Sequence, residues 1–310
     1  MRMRRHDRGA ALLTAMVIVT LVATLAAAMV WQQWRAVQAE TIERSRIQSA
    51  WILSGALDWA RLILREDTRA GGPDHLGEPW AVPLAEARLS SFLAVDKNNT
   101  DDAPEAFLSG TITDAQARYN LRNLFQEQEA KVIPGELAIL ERLCQAAGVA
   151  DDVAARLAKA LAAADLGEGD AALMPQSIAQ LGWLGFDDDT RKRLAPFVVL
   201  LPTRTPVNLN TASIEVIAAT VDGLQRGDAE QLVQVRQRTP FRSLAQAQAL
   251  LPAGITLQPK QVSTTTRYFD VRGRLRLGDR VLVEQSLLER RGANVIAVQR
   301  ERVNLTEPQS

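Results

Sequence analysis

This chain has few of the residue types that catalysis by a nucleophile and a base requires. The 310 residues include one cysteine, Cys144, and two histidines, His6 and His75. A nucleophilic thiol needs a nearby base, usually a histidine, and neither histidine lies near the cysteine in the sequence. We therefore expect Cys144 to be a small buried side chain on a helix. The chain also lacks a phosphate-binding glycine loop and a Gly-x-Ser-x-Gly elbow, so we expect no enzyme.

Metal chemistry has one candidate site, at a turn after a predicted helix. Asp165, Glu168 and Asp170 lie close together there. Calcium takes roughly six to eight oxygen ligands, and three acids supply only part of such a set. The sequence requires no cofactor and leaves calcium binding at this turn open.

The charge balance argues against a dedicated nucleic-acid binder. Lys and Arg together number 36, Asp and Glu also number 36, and the formal net charge is zero. Residues 207–251 nevertheless resemble a helix-hairpin-helix module. Their hairpin has Gln225 in place of the second glycine of the usual Gly-x-Gly, and Asp222 and Asp228 add negative charge. We expect this segment to have a structural or partner-binding role; a membrane-anchored protein for DNA binding and uptake is the alternative function.

The N-terminus predicts a membrane segment. Residues 1–9 are rich in arginine, and residues 10–31 form a run of 22 residues without charge, Gly or Pro. As a helix this run spans about 33 Å, close to the hydrocarbon thickness of a bilayer. The basic end should stay in the cytoplasm, and Trp31 and Trp34 should anchor the helix at the membrane–water interface.

Three interpretations of this N-terminus are open: a secretory signal peptide, an uncleaved anchor, and a prepilin leader cut between Gly9 and Ala10. Helix-forming residues continue from the membrane segment to about residue 67, where Gly71-Gly72-Pro73 follows. A cleaved signal peptide has no reason to continue in this way. The continuous helix favours the prepilin leader.

Later segments predict an α+β fold. A strand pattern occurs at residues 108–114, alanine-rich helical patterns fill residues 126–254, and strand patterns return in residues 255–310. We expect an antiparallel sheet with one polar face to pack on the outer part of the long helix, with an all-α domain inserted. The predicted segments are 1–9 (leader), 10–31 (transmembrane helix), 32–125 (first part of the helix-and-sheet domain), 126–254 (all-α insert) and 255–310 (final strands).

Four motifs follow one another along the chain. They are Arg8-Gly9-Ala10-Ala11-Leu12-Leu13, Asp74-His75-Leu76-Gly77-Glu78-Pro79-Trp80, Ile112-Thr113-Asp114-Ala115-Gln116-Ala117-Arg118-Tyr119-Asn120-Leu121 and Val207-Asn208-Leu209-Asn210-Thr211-Ala212-Ser213. Together they resemble the minor pseudopilin K (GspK) family of the type II secretion system. Their order is more specific than any one of them. The resemblance implies a pilin-like fold with a large helical insert, processing by prepilin peptidase, and a place at the tip of a periplasmic pseudopilus.

The fifth residue after the expected cut supports the K type. Most pilin-like proteins carry a glutamate there, whereas this chain has Thr14, which implies no ionic partner in the membrane. The resemblance implies as partners the other minor pseudopilins, the major pseudopilin, the inner-membrane assembly platform and prepilin peptidase, but no nucleic acid. It implies a single pass through the bacterial inner membrane, with the N-terminus cytoplasmic and most of the chain periplasmic. Ala10 would begin the mature chain and would be open to N-methylation.

Overall fold

The computed structural model describes residues 5–89, 106–126, 131–167, 172–278 and 280–303, with side chains from residue 11 to residue 302 of these ranges. The chain divides into two compact units, residues 1–54 and residues 55–310. Helix α1, Arg5–Ala70, begins in the first unit and ends in the second.

The first unit consists of helix α1 up to Ser54. Its apolar stretch is long and hydrophobic enough to cross a membrane, with a mean hydropathy of 2.4, and none of that stretch is buried against protein. The helix begins five residues before the predicted start at Ala10 and ends three residues after the predicted end near Asp67. The prediction of one continuous helix is confirmed.

A five-stranded antiparallel sheet forms the centre of the second unit. Its strands, in spatial order, are β1 (Leu84–Arg88), β2 (Ala106–Asp114), β9 (Tyr268–Leu277), β10 (Arg280–Arg291) and β11 (Asn294–Val303). Strands β2 and β9 to β11 occur where the strand patterns predict them, but β1 was not predicted. The mixed α+β class with a long N-terminal helix is confirmed.

Both faces of this sheet are covered at the end formed by the start of β9 and the end of β10. Phe269 and Leu288 pack with Leu64 of α1 on one face. Their neighbours Tyr268 and Leu287 pack with Val199 and Leu201 on the other. Successive strand residues point to opposite faces, so two apolar residues in a row supply both layers. The expectation of one polar face is therefore wrong at this end of the sheet.

Helices dominate the remainder of the second unit. They are α2 (Pro134–Ala147), α3 (Asp152–Leu166), α4 (Asp188–Leu194), α5 (Ile214–Thr220), α6 (Arg226–Arg238) and α7 (Leu244–Gln248), with short 3-10 helices at Pro79–Ala81, Ala115–Ala117, Leu121–Leu124 and Ile178–Leu184. Two-residue strands pair β3 (Tyr119–Asn120) with β6 (Val198–Val199), β4 (Phe125–Gln126) with β5 (Lys131–Val132), and β7 (Val207–Asn208) with β8 (Val262–Ser263).

One apolar core joins these helices. It includes Leu140 and Leu143 of α2, Leu157 of α3, and Tyr119 and Val262, which lie outside the predicted insert of residues 126–254. The short parallel pairs explain this extension, because they tie residues on each side of the helices to the same core. The limits at 126 and 254 stay a prediction.

Candidate functional site

Three of the four motifs meet at a buried polar junction in the second unit. Its centre is Asp114, the last residue of β2, which is only 4% exposed. Its carboxylate accepts four hydrogen bonds, from the Gln116 amide N (2.7 Å), Asn208 Nδ2 (2.8 Å), Thr211 Oγ1 (2.6 Å) and Thr266 Oγ1 (2.6 Å). Donors from three separate segments of the chain thus converge on one carboxylate.

The electrostatics of Asp114 suit a structural group. Burial raises the pKa of its carboxyl, and the hydrogen bonds from Thr211, Thr266 and Asn208 offset that rise only in part. Both carboxylate oxygens already accept donors from the protein. We infer that Asp114 binds the segments together and does not present a free oxygen to a ligand.

Asparagines extend this junction on the helical side. Asn208 Nδ2 also donates to the Asp74 carbonyl oxygen (3.0 Å), which links the second and fourth motifs. Asn210 exchanges two hydrogen bonds with the backbone of Phe241, with its Oδ1 accepting (2.9 Å) and its Nδ2 donating (3.0 Å). Asn120 accepts from the Leu201 amide N (3.1 Å) and donates to Thr205 Oγ1 (3.0 Å). Each amide satisfies backbone groups that would otherwise be buried without partners.

An acidic cluster lies beside the junction at the end of α1. Asp67, Asp74 and Glu78 bring carboxylate oxygens within 4.8 Å of one another, the spacing that a shared metal ion needs. Arg290 of β10 donates to two of them, with Nη1 2.7 Å from Asp74 Oδ1 and Nη2 2.5 Å from Asp67 Oδ2. Glu78 Oε2 accepts from Trp80 Nε1 at 2.8 Å. A guanidinium thus supplies the positive charge that a metal ion would otherwise provide.

The pKa of Asp67 reflects this crowding. Burial, a hydrogen bond with Glu78 and the negative charge of Glu78 raise it from 3.8 to about 6, against the opposing influence of Arg290. Burial also raises the pKa of Asp74, although Arg290 and the Thr266 amide oppose it. The cluster therefore contains one carboxyl group, that of Asp67, whose pKa is raised to about 6.

The residues predicted from the N-terminal pattern lie on α1. Gly9 and Ala10 belong to its first turns, and Thr14 Oγ1 donates to the Ala11 carbonyl oxygen at 3.0 Å. Trp31 and Trp34 are 60% and 58% exposed. Cleavage after Gly9 and the anchoring role of the two tryptophans stay predictions.

The candidate calcium residues are only partly described. Asp165 Oδ1 accepts from Arg122 Nη1 at 3.0 Å, so this carboxylate already has a cationic partner. Glu168 and Asp170 lie outside the described residues. Calcium binding at this turn stays a prediction.

The predicted burial of Cys144 is confirmed. Burial raises the pKa of its thiol to about 11, and the negative charge of Glu141 contributes to the rise.

In the helix-hairpin-helix segment, the turn between α5 and α6 is held by hydrogen bonds and an ion pair of its own residues. Gly223 has a φ of 73°, the left-handed conformation that favours glycine. The Gln225 amide N donates to Asp228 Oδ2 at 3.2 Å, and Arg226 pairs with Glu230 at 2.9 Å. The turn thus presents acids and neutralised arginine where a phosphate-binding hairpin would present free amides. No comparison supports the alternative function in DNA binding and uptake.

Sequence reasoning did not identify Asp67 and Arg290 as members of the acidic cluster beside the junction. Neither lies in one of the four motifs, and 223 positions separate them. The available signal was the pair Asp74 and Glu78 in the second motif, two acids in a loop that need a cationic partner when buried.

Comparisons with known proteins agree with these motifs. The family model "Type II secretion system (T2SS), protein K" matches residues 207–265. The type II secretion system protein K of Pseudomonas aeruginosa is 29% identical, over 93% of this chain and 90% of its own length. That of Pectobacterium carotovorum is 28% identical, over 96% of this chain and 97% of its own length.

A solved structure shares the fold. A chain in the crystal structure of the GspK-GspI-GspJ complex from enterotoxigenic Escherichia coli matches with a TM-score of 0.62 and 19% identity, over 85% of this chain and 98% of its own. The resemblance seen in the motifs is confirmed: the chain is similar over nearly its whole length to proteins named type II secretion system protein K.

Proposed function

We propose that this chain is a minor pseudopilin of the type II secretion system. It assembles with other minor pseudopilins at the tip of a periplasmic pseudopilus and so supports protein export. The observation that carries this proposal is similarity over nearly the whole chain to proteins named type II secretion system protein K. A fold match to a chain from the GspK-GspI-GspJ complex supports minor pseudopilins as the partners.

The apolar start of α1 anchors the chain in a membrane. We further propose that this membrane is the inner membrane, with residues 1–9 in the cytoplasm and most of the chain in the periplasm, because basic residues precede the span. Prepilin peptidase would cut between Gly9 and Ala10, and the mature chain would then contact the assembly platform and the major pseudopilin. Thr14 supports a terminal position, since its hydroxyl is satisfied by its own helix.

Exposed apolar side chains on α1 are suited to helical partners. In the first unit Trp51 is 75% exposed. In the second unit Trp59 and Leu62 are 46% and 40% exposed. Tryptophan is enriched at the energetic centres of protein interfaces, and large apolar side chains gain free energy when a partner covers them.

Two measurements test this function together. Intact mass should show a chain beginning at Ala10 only in cells with prepilin peptidase. A photo-cross-linking amino acid at Trp59 should capture another minor pseudopilin, whereas the same group at Glu230, on helix α6, should not. A mature chain beginning at Met1 or Met29, or equal cross-linking at both positions, would contradict the proposal.

A further inference from the structure

A groove of about 470 Å³ lies between the sheet and the helical part of the second unit. Its apolar walls are Leu200, Leu201 and Pro202 on one side and Leu287 and Val298 on the other. Leu201 and Leu287 are nearly buried at the base of the groove, and Val298 packs beside them. The walls therefore have the apolar character and the size of a ligand-binding cleft.

A β-bulge brings Val298 into this groove. In the β10–β11 ladder, Leu287 pairs with Gln299 and Leu288 pairs with Ala297, so Val298 is an extra residue on β11. Bulges redirect side chains and are frequent beside functional sites. Here the bulge adds an apolar side chain to the groove at the outer strand of the sheet.

Positive charge concentrates at the mouth of the groove. Glu289 is buried, with a side chain 2% exposed, and it is shared by two arginines: Arg291 Nη2 lies 2.6 Å from Oε2, and Arg267 contacts Oε1. The Tyr268 hydroxyl also donates to Oε1 at 3.3 Å. One carboxylate between two guanidinium groups leaves one positive charge uncompensated.

The two arginines remain accessible to a ligand. The side chains of Arg267 and Arg291 are 48% and 59% exposed. A guanidinium has five N–H donors, more than either arginine uses on Glu289, so each can bind a second carboxylate. Arg122, also in the wall, is paired with Asp165 and adds no net charge.

We propose that this groove binds an extended, acidic segment of a partner polypeptide. A carboxylate of the segment pairs with Arg267 and Arg291, and a neighbouring apolar side chain lies against Leu201 and Val298. Strand β11 is the outer strand of the described sheet, so its free edge can bond the backbone of such a segment. The single excess charge and the apolar walls favour a peptide over the repeated phosphates of a nucleic acid. This site goes beyond the proposed function and does not depend on it.

The test uses the full chain in detergent and a random library of short peptides displayed on phage. Selected peptides should carry Asp or Glu beside an apolar residue. A fluorescent copy of the best peptide then measures affinity by anisotropy. The variant Arg267→Gln/Arg291→Gln/Glu289→Gln should weaken binding about tenfold or more, since charge-assisted hydrogen bonds are lost. Glu289→Gln is included so that no buried carboxylate is left without a partner.

Matched controls separate the groove from general charge and from misfolding. Arg238→Gln/Arg242→Gln alters two exposed arginines elsewhere and should leave affinity unchanged. Val298→Thr preserves side-chain shape and all charges, and should weaken binding severalfold because it places a hydroxyl in the apolar wall. Circular dichroism should show all variants folded.

Several outcomes would overturn the proposal. They are the absence of selected peptides, the selection of basic peptides, or equal binding by the triple variant and its arginine control. A fourth is tighter peptide binding by a chain ending at Val303, which would make residues 304–310 the occupant instead of a partner.

Discussion

Arg290→Met tests the inference that one guanidinium holds the acidic cluster together. The Arg290 side chain is 13% exposed, and it pairs with Asp74 and Asp67, whose side chains are 3% and 11% exposed. Methionine preserves much of the apolar stem, including the part that lies over the ring of Phe269. The change therefore removes charge and hydrogen bonds more than packing.

The expected loss in the free energy of unfolding follows from the two hydrogen bonds of Arg290 and the burial of their acceptors. Removing one partner of a buried ion pair costs about 3–5 kcal/mol, because the remaining charge stays buried without compensation. For a domain stable by about 5–15 kcal/mol, this is a large fraction. The loss should be smaller near pH 5 than near pH 8, since the two carboxyls can then escape the penalty by binding protons.

Urea unfolding of the full chain in detergent, followed by tryptophan fluorescence, measures this difference. The matched control is Arg276→Met, whose ion pair with Glu86 (2.6 Å) is more exposed, with side chains 38% and 35% exposed. Exposed pairs of this kind contribute about 0–1 kcal/mol. A loss for Arg290→Met no larger than that of the control, or one independent of pH, would refute the inference.

Three further predictions concern single side chains. The folded-state pKa of Asp67, about 6, exceeds its usual value of 3.8, so folding favours the protonated carboxyl and the free energy of unfolding should fall as the pH rises from about 4 to about 6. Asp67→Asn should remove part of this fall, roughly 1–2 kcal/mol after allowance for solvent screening. Urea titrations at several pH values check this prediction. Leu64→Ala should lower the free energy of unfolding by about 2–5 kcal/mol, because it opens a cavity in the core against the sheet. Leu62→Ala, on the exposed side of α1, should lower it by under about 1 kcal/mol in the same assay. Cys144 should be silent toward Ellman's reagent in the folded protein and react once urea unfolds it, because burial raises its pKa to about 11; rapid reaction of the folded chain would contradict this.

Local patterns were sufficient to predict the long helix and the main strands. Helix α1 has good helix formers up to the two glycines at its end, and Gly71 has a φ of 67°. Strands β9 to β11 are rich in β-branched and apolar residues. In each case the signal lies within the element itself, so no knowledge of distant contacts is required.

Strand β1 was missed because its sequence carries almost no strand signal. Leu84–Arg88 has two alanines and no β-branched residue, and its pairing with β2 is irregular between Leu84 and Ala87. Its strand conformation depends on the neighbouring edge of β2.

The junction itself could be predicted in its parts but not in its assembly. The motifs contain Asp114, Asn208 and Asp74, and a buried acid or amide requires partners. Sequence alone does not say which distant residue supplies them, and Arg290 is 216 positions from Asp74. The pairing emerges only when β10 lies beside β9 and places the arginine at the end of α1.

The polar junction constrains the residues of these motifs more tightly than the apolar core constrains the helices around them. Apolar contacts such as those of the helical core tolerate many similar side chains, provided that volume is preserved. Asp114 instead needs four donors at fixed distances, from residues as far apart as Gln116 and Thr266. Any change in how the helical part sits on the sheet would leave buried donors unsatisfied, each at a cost of about 1–3 kcal/mol. The junction therefore selects one arrangement of sheet and helices, and the surrounding helices can vary in sequence as long as they fill the same core.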